Sequence, residues 1–175
     1  MKANQEFEQA LRLHQQGEHE QAAKLYERLL QEDPKRPAVW GYLALNYLES
    51  GQTQRALDTL QEALKRTPNE IHLHMHAAHV HKHMQDIPQA IHHYQRVLDI
   101  NPQYAKAHNN LAIEYAAQNN YTLALQHYRH ALHSDPSLVP AHLNLGLLLL
   151  KRGELTAAET QLQNVLALDP DHSSA

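Results

Sequence analysis

Apolar residues recur along the chain at three- and four-residue spacing for about fourteen residues, break, and resume for about fourteen more. Between 37 and 50, Trp40, Leu43, Ala44 and Tyr47 mark one helical face; between 53 and 66, Ala56, Leu57, Leu60, Ala63 and Leu64 mark the next. Gly17, Gly51 and Gly153 stand at the break inside a pair, where glycine ends a helix. Asn119 takes that place once, tolerably because asparagine also enters the left-handed region, and Gln85 takes it once, with Pro88 in the first turn of the next helix. Between pairs come Pro34, Pro68, Pro102, Pro136 and Pro170, at a constant interval of 34 residues. Asp33, Asn101, Asp135 and Asp169 precede four of them, a turn signal. The pattern predicts helices only.

The period extends to packing positions. Ala22, Ala56, Ala90, Ala124 and Ala158 are again 34 apart, each followed four residues later by Tyr26, Leu60, Tyr94, Tyr128 or Leu162. Five units result, 3–36, 37–70, 71–104, 105–138 and 139–172, expected to form a single domain over 1–175. A fixed period of this length signals a stacked array, stabilised by contacts between neighbours. Unit one departs most: Glu6 and Gln9 stand where apolar residues are expected, as on a terminal cap. At the other end the last unit stops at residues 172–175 with no further helix. Leu155, Leu162, Leu166 and Leu168 are then expected to face solvent in part, or another copy or domain.

Composition narrows the functional classes. The chain of 175 residues has five Gly, one Phe and no Cys, which argues against an all-β fold and removes disulfides and thiolate sites. The formal net charge of −4 gives no basic footprint for nucleic acid. The longest apolar run, residues 145–150, is too short to insert in a membrane, and the N-terminus lacks the apolar core of a secretory signal, so the default location is cytoplasmic. No glycine-rich phosphate loop or nucleophile constellation is found, so the expectation is a non-enzyme without cofactors. Sixteen His are the unusual feature.

The pattern Trp40…Leu43-Ala44…Tyr47…Ala56…Leu60…Ala63…Pro68, repeated at His142…Leu145-Gly146…Leu149…Ala158…Pro170, resembles the tetratricopeptide repeat over residues 3–172. The resemblance implies an all-α, right-handed superhelical α-solenoid of antiparallel helix pairs, with the first helix of each pair lining a concave groove. It implies a scaffold that binds a protein or peptide ligand, extended or helical, in that groove. The alternatives are a docking or regulatory domain of a larger enzyme, and homo-oligomer formation through the uncapped last unit.

On that frame the groove residues are Tyr42, Leu45, Glu49, His72, His76, His79, His83, Lys106, Asn109, Asn110, Ile113, Leu143, Asn144 and Leu147. Asn110 and Asn144 lie 34 apart where the family often uses asparagine to grip a peptide backbone, and a carboxamide both donates and accepts. Leu45, Ile113, Leu143 and Leu147 would take apolar side chains. The family's carboxylate clamp is poorly matched, with only Lys82, Lys106, Lys151 and the two Asn available and no Arg.

Residues 71–84, IHLHMHAAHVHKHM, hold six of the His. His72, His76, His79 and His83 follow one helical stripe, whereas His74 and His81 point into the core. One straight helix offers two ligands to any one ion, so the stripe is a weak metal candidate, with Glu49 as its one helper. His92, His93, His127, His130 and His133 fall on second helices and are expected to be solvated.

Overall fold

The computed structural model describes residues 2–171 and contains ten α-helices in five antiparallel pairs: α1 Lys2–Gln15 and α2 His19–Glu32; α3 Pro37–Glu49 and α4 Thr53–Arg66; α5 Ile71–His83 and α6 Ile87–Ile100; α7 Ala105–Ala117 and α8 Tyr121–Ser134; α9 Val139–Lys151 and α10 Leu155–Leu168. The expected helices at 37–50 and 53–66 are thus present to within a residue. The expected absence of a further helix at 172–175 lies outside the described residues.

Each break inside a pair is built alike. Gly17, Gly51 and Gly153 have φ of +77 to +78°, and Gln85 and Asn119 have φ of +60°. At each, two backbone bonds close the helix end in a Schellman pattern: for the second pair Gly51 N donates to Leu48 O at 3.0 Å and Gln52 N to Tyr47 O at 2.7 Å. The turns between pairs use side-chain acceptors instead. Asp33, Asn101 and Asp135 each accept from the backbone N–H two residues on, at 3.0 Å, an Asx turn leading out of the proline.

The repeated alanines are the points of closest approach: Ala22, Ala56, Ala90, Ala124 and Ala158 are all fully buried. Tyr26, Leu60, Tyr94 and Tyr128 pack beside them, fully or almost fully buried. Each aliphatic side chain buried this way contributes roughly 1.5–3 kcal/mol, so a few per repeat hold neighbouring helices together.

The chain divides into two compact units, residues 1–96 and 97–175. In the first, one core runs from Ala10 to Val80, with α3 packed against α2, α4 and α5. In the second, a core of Ala112, Ala124, Tyr128, Leu145, Leu148, Leu149 and Ala158 joins α7, α8, α9 and α10. Glu6, odd for a packing position, is paired with Arg28 at 3.0 Å. No helix among the described residues is long and apolar enough to cross a membrane.

Candidate peptide-binding surface

The residues expected in the groove lie on the first helices of the second to fifth pairs, α3, α5, α7 and α9. In residues 1–96, Tyr42 and Leu45 of α3 and His72 and His76 of α5 line one hollow of about 420 Å³, with Pro37, Ala38 and Glu70 at its rim. Tyr42 stacks 6.5 Å from the buried Tyr26, ring to ring, which holds its exposed edge over the hollow. His79 and His83 are exposed on the same helix, beyond the hollow.

His76 differs from the other members of its stripe. It is half-buried, with its ring over the backbone of α3 at Gly41: a Cβ there would lie 2.8 Å from His76 Cδ2. Gly41 therefore makes room for the imidazole. Burial, and after it the neighbouring His72 and His79, push the His76 pKa down to about 4, so the ring is neutral near pH 7. It offers the hollow a neutral polar wall.

In residues 97–175 three asparagines form a short chain. Asn144 Nδ2 donates to Asn109 Oδ1 at 3.2 Å, and Asn109 Nδ2 donates to Asn110 Oδ1 at 3.3 Å. Asn109, expected as a contact residue, is buried at 6% exposure. It links the other two instead of meeting a ligand, because on α7 it sits one position further round than Asn110, toward α9. The link leaves Asn144 Oδ1 and one N–H, and both N–H of Asn110, without a partner within the chain of three. Leu147 is 51% exposed, Ile113 and Leu143 are half-buried, and Lys106 is exposed. These surround the two amides with apolar surface and one cation.

Of the histidines expected to be solvated on the second helices, His92, His130 and His133 are exposed, and the other two need correction. His93 and His127 are half-buried, not solvated, and belong to a repeated arrangement across the helix pair. His74 Nε2 lies 2.9 Å from Pro68 O, and its Nδ1 lies 3.0 Å from His93 Nδ1. His108 repeats this with Pro102 O at 3.0 Å and His127 Nδ1 at 2.9 Å. A carbonyl only accepts, so Nε2 of His74 carries the proton, Nδ1 is the acceptor, and His93 must donate. His142 keeps the bond to Pro136 O at 2.9 Å, with Gln161 in place of the second ring. Trp40 makes the same bond to Pro34 O through its indole N–H at 2.9 Å. Burial, and after it the partner His74 with His81 and His92, push His93 down to about 4. Burial, His108 and His130 do the same to His127. The signal for this in the sequence was the recurring 19-residue pairing, at the position where another unit has tryptophan.

Glu49 does not turn to the α5 stripe either; its Oε2 lies 2.9 Å from His14 Nε2. Among the described residues, the one grouping of three metal-ligating side chains is His14, His19 and Glu49. A further hollow of about 500 Å³ opens beside Trp40 and Arg66, on the α2 and α4 side. Its charged residues already have partners: Arg55 donates to Tyr47 Oη at 2.7 Å and to Glu27 at 3.2 Å, Asp58 accepts from Gln54 at 2.8 Å, and Arg66 pairs with Glu62, outside the lining, at 2.8 Å.

Comparisons with known proteins agree with this architecture. A family model described as tetratricopeptide repeat matches residues 13–79 and 115–175, and a second of the same description matches 70–137. No curated protein matches the chain. Among solved structures, MamA (residues 41 to the end) from Desulfovibrio magneticus RS-1 is 19% identical, over 99% of this chain and 98% of that one, at a TM-score of 0.76. TTC0263, a thermophilic repeat protein of Thermus thermophilus, is 23% identical over 97% and 93%, also at 0.76. YrrB, described as having an unusual peptide-binding site, is 20% identical over 95% and 86%, at 0.67. At these identities the likeness is one of fold.

Proposed function

Since the chain belongs to the tetratricopeptide repeat family, we propose that it is a non-catalytic scaffold that holds an extended or helical segment of a partner protein against its first helices. The observation that carries this reading is the asparagine chain of α7 and α9. Asn109 uses its own groups to orient Asn110 and Asn144, so each presents a fixed amide to the surface. Peptide backbone offers the complementary N–H and C=O, and an amide pair binds it without reading side chains. Leu147, Ile113 and Leu143 then supply contact area for apolar side chains, and Lys106 favours a segment with an acidic residue nearby. In residues 1–96 the hollow under Tyr42, walled by Leu45, His72 and His76, accepts one bulky side chain in the same way.

The test is capture of partner proteins by the wild type and by the Asn110→Ala/Asn144→Ala double variant, followed by titration of the captured segment. Loss of two hydrogen bonds should weaken binding by about 1–3 kcal/mol, a factor of roughly 5 to 150 in Kd. Equal affinity of both proteins for the captured partner sinks the ladder.

A second reading rests on another surface. Leu150, Leu155, Leu166 and Leu168 of α9 and α10 are each more than 40% exposed, an apolar concentration suited to a second copy of the chain.

A further inference from the structure

We propose that His14, His19 and Glu49 form a binding site for a divalent transition-metal ion of the zinc class. Three helices meet at this point. His14 lies in the last turn of α1, His19 is the first residue of α2, and Glu49 is the last residue of α3. The Schellman turn at Gly17 folds the chain back, so two His five positions apart face each other, with ring centroids 5.7 Å apart. One ligand atom from each of the three residues lies within 4.8 Å of the others. His14 Nε2 and Glu49 Oε2 are already 2.9 Å apart. Two imidazoles and one carboxylate are a recognised zinc set, with metal bonds of about 2.0–2.2 Å. Glu49 is 56% exposed in its side chain, so a small rotation closes the triangle around an ion.

The surroundings of the two His favour a metal ligand over a simple polar contact. His19 Nδ1 lies 3.0 Å from Oδ1 of Asn46, and Asn46 Nδ2 donates to the backbone O of His19 at 2.9 Å. Asn46 is buried at 1% exposure, and the carbonyl it donates to settles which end of its amide faces the ring. The oxygen does, so His19 must donate from Nδ1, and its lone pair is left on Nε2. An outer carbonyl that fixes the tautomer and aim of a ligating His is the usual support of a metal site. His14 has a matching partner, since its Nδ1 lies 3.5 Å from the hydroxyl of the fully buried Tyr26. On metal binding neutral His14 exchanges tautomer, Nε2 giving its proton to solvent as Nδ1 takes one up and donates it to the Tyr26 oxygen. The two His and Glu49 then give a site of net charge +1 with a divalent ion.

Three protein ligands leave a fourth position. A hollow of about 250 Å³ lies beside the site, lined by Leu11, His14, Gln15, Tyr42, Leu45 and Glu49. It has room for a water or an incoming carboxylate. The site is independent of the asparagine chain, which lies in the other compact unit.

The exposed His of α5 could also take up metal weakly, so the experiment must separate the two. Tag-free chain is titrated with zinc against a chromophoric chelator at pH 7.5, and with cobalt(II) followed by visible absorption. Wild type should bind one equivalent tightly, with the absorption bands of a four-coordinate cobalt site. Glu49→Gln and His19→Gln should each weaken this binding roughly tenfold or more, at least the effect of losing an outer-shell partner. The His72→Gln/His79→Gln/His83→Gln variant should keep it. Far-UV circular dichroism of each variant confirms the helical fold, and Glu49→Gln, at an exposed side chain, preserves it. Unchanged affinity in Glu49→Gln and His19→Gln, loss of the tight site in the α5 variant, or no saturable single equivalent overturns the proposal.

Discussion

At the residue scale, positions that look equivalent in the repeat carry different costs. Gln85 and Asn119 occupy the left-handed corner that Gly17, Gly51 and Gly153 fill elsewhere, all with φ between +60 and +78°. A side chain with a Cβ costs about 1–2 kcal/mol in that region, less for asparagine. Gln85→Gly should therefore stabilise the protein by roughly 0.5–1 kcal/mol, after the greater freedom of glycine in the unfolded chain is subtracted. A urea denaturation midpoint that fails to rise would show that contacts of the Gln85 side chain offset the strain. The break itself was legible in the sequence, because a glycine recurs at the same phase in three units. The sign of φ at Gln85 was legible only through its register with those glycines.

Helix pairs are locked by a bond that residue types alone did not announce. In each of four pairs a ring N–H at one position, from Trp40, His74, His108 or His142, donates to the carbonyl of the preceding turn proline. In two of them the second imidazole nitrogen then accepts from a histidine on the following helix. Every bond in that relay needs neutral rings, apart from one extra proton that the outer ring can hold. Burial lowers the proton affinity of His74, His76, His93, His108 and His127, to about 4 for His76, His93 and His127. The unfolded chain holds these groups near 6.5, so below that pH it binds more protons than the native state does. The contribution of His76, His93 and His127 is fully present above about pH 6.5, falls as pH drops, and is gone below about 4, and that of His74 and His108 falls in the same direction. Thermal or urea unfolding at pH 5 against pH 7.5 should show a loss on the order of 2 kcal/mol, after allowance for solvent screening of the half-buried rings. Gln161 already stands in for the second ring in the fifth pair. The His93→Gln/His127→Gln variant should therefore fold and show a flatter pH profile. A profile as steep as the wild type's would place the acid sensitivity elsewhere. From sequence, His93 and His127 fell on an outer helix face by helical phase. Helical phase does not say how far a neighbouring helix leans over that face.

For the whole molecule, most of the exposed large apolar side chains among the described residues lie on α9 and α10. Leu155 is 66% exposed and Leu166 43%, and α10 packs on α9. Association through this surface should appear as a weight-average mass that rises with concentration in sedimentation equilibrium. Leu155→Glu/Leu166→Glu should abolish the rise, and a strict monomer at all concentrations removes the second reading. These leucines were legible as apolar positions of the fifth unit because the helical rhythm of the earlier units continues there.

What the sequence determined by itself was the repeat: five helix pairs, their breaks, their turn prolines and the alanine contacts. All of these are local or lie at one fixed spacing, so a single period displays them. Only the tertiary structure decided which polar groups meet. It joined Asn109 to Asn144, His14 to Glu49, His19 to Asn46, and His74 to both Pro68 and His93. Such pairs depend on rotamers and on the lean of one helix against another, where an ångström separates a hydrogen bond from none. The hydrophobic period constrains helix faces only to within tens of degrees. It could therefore name the face on which Glu49 lies, and the fold had to choose its partner.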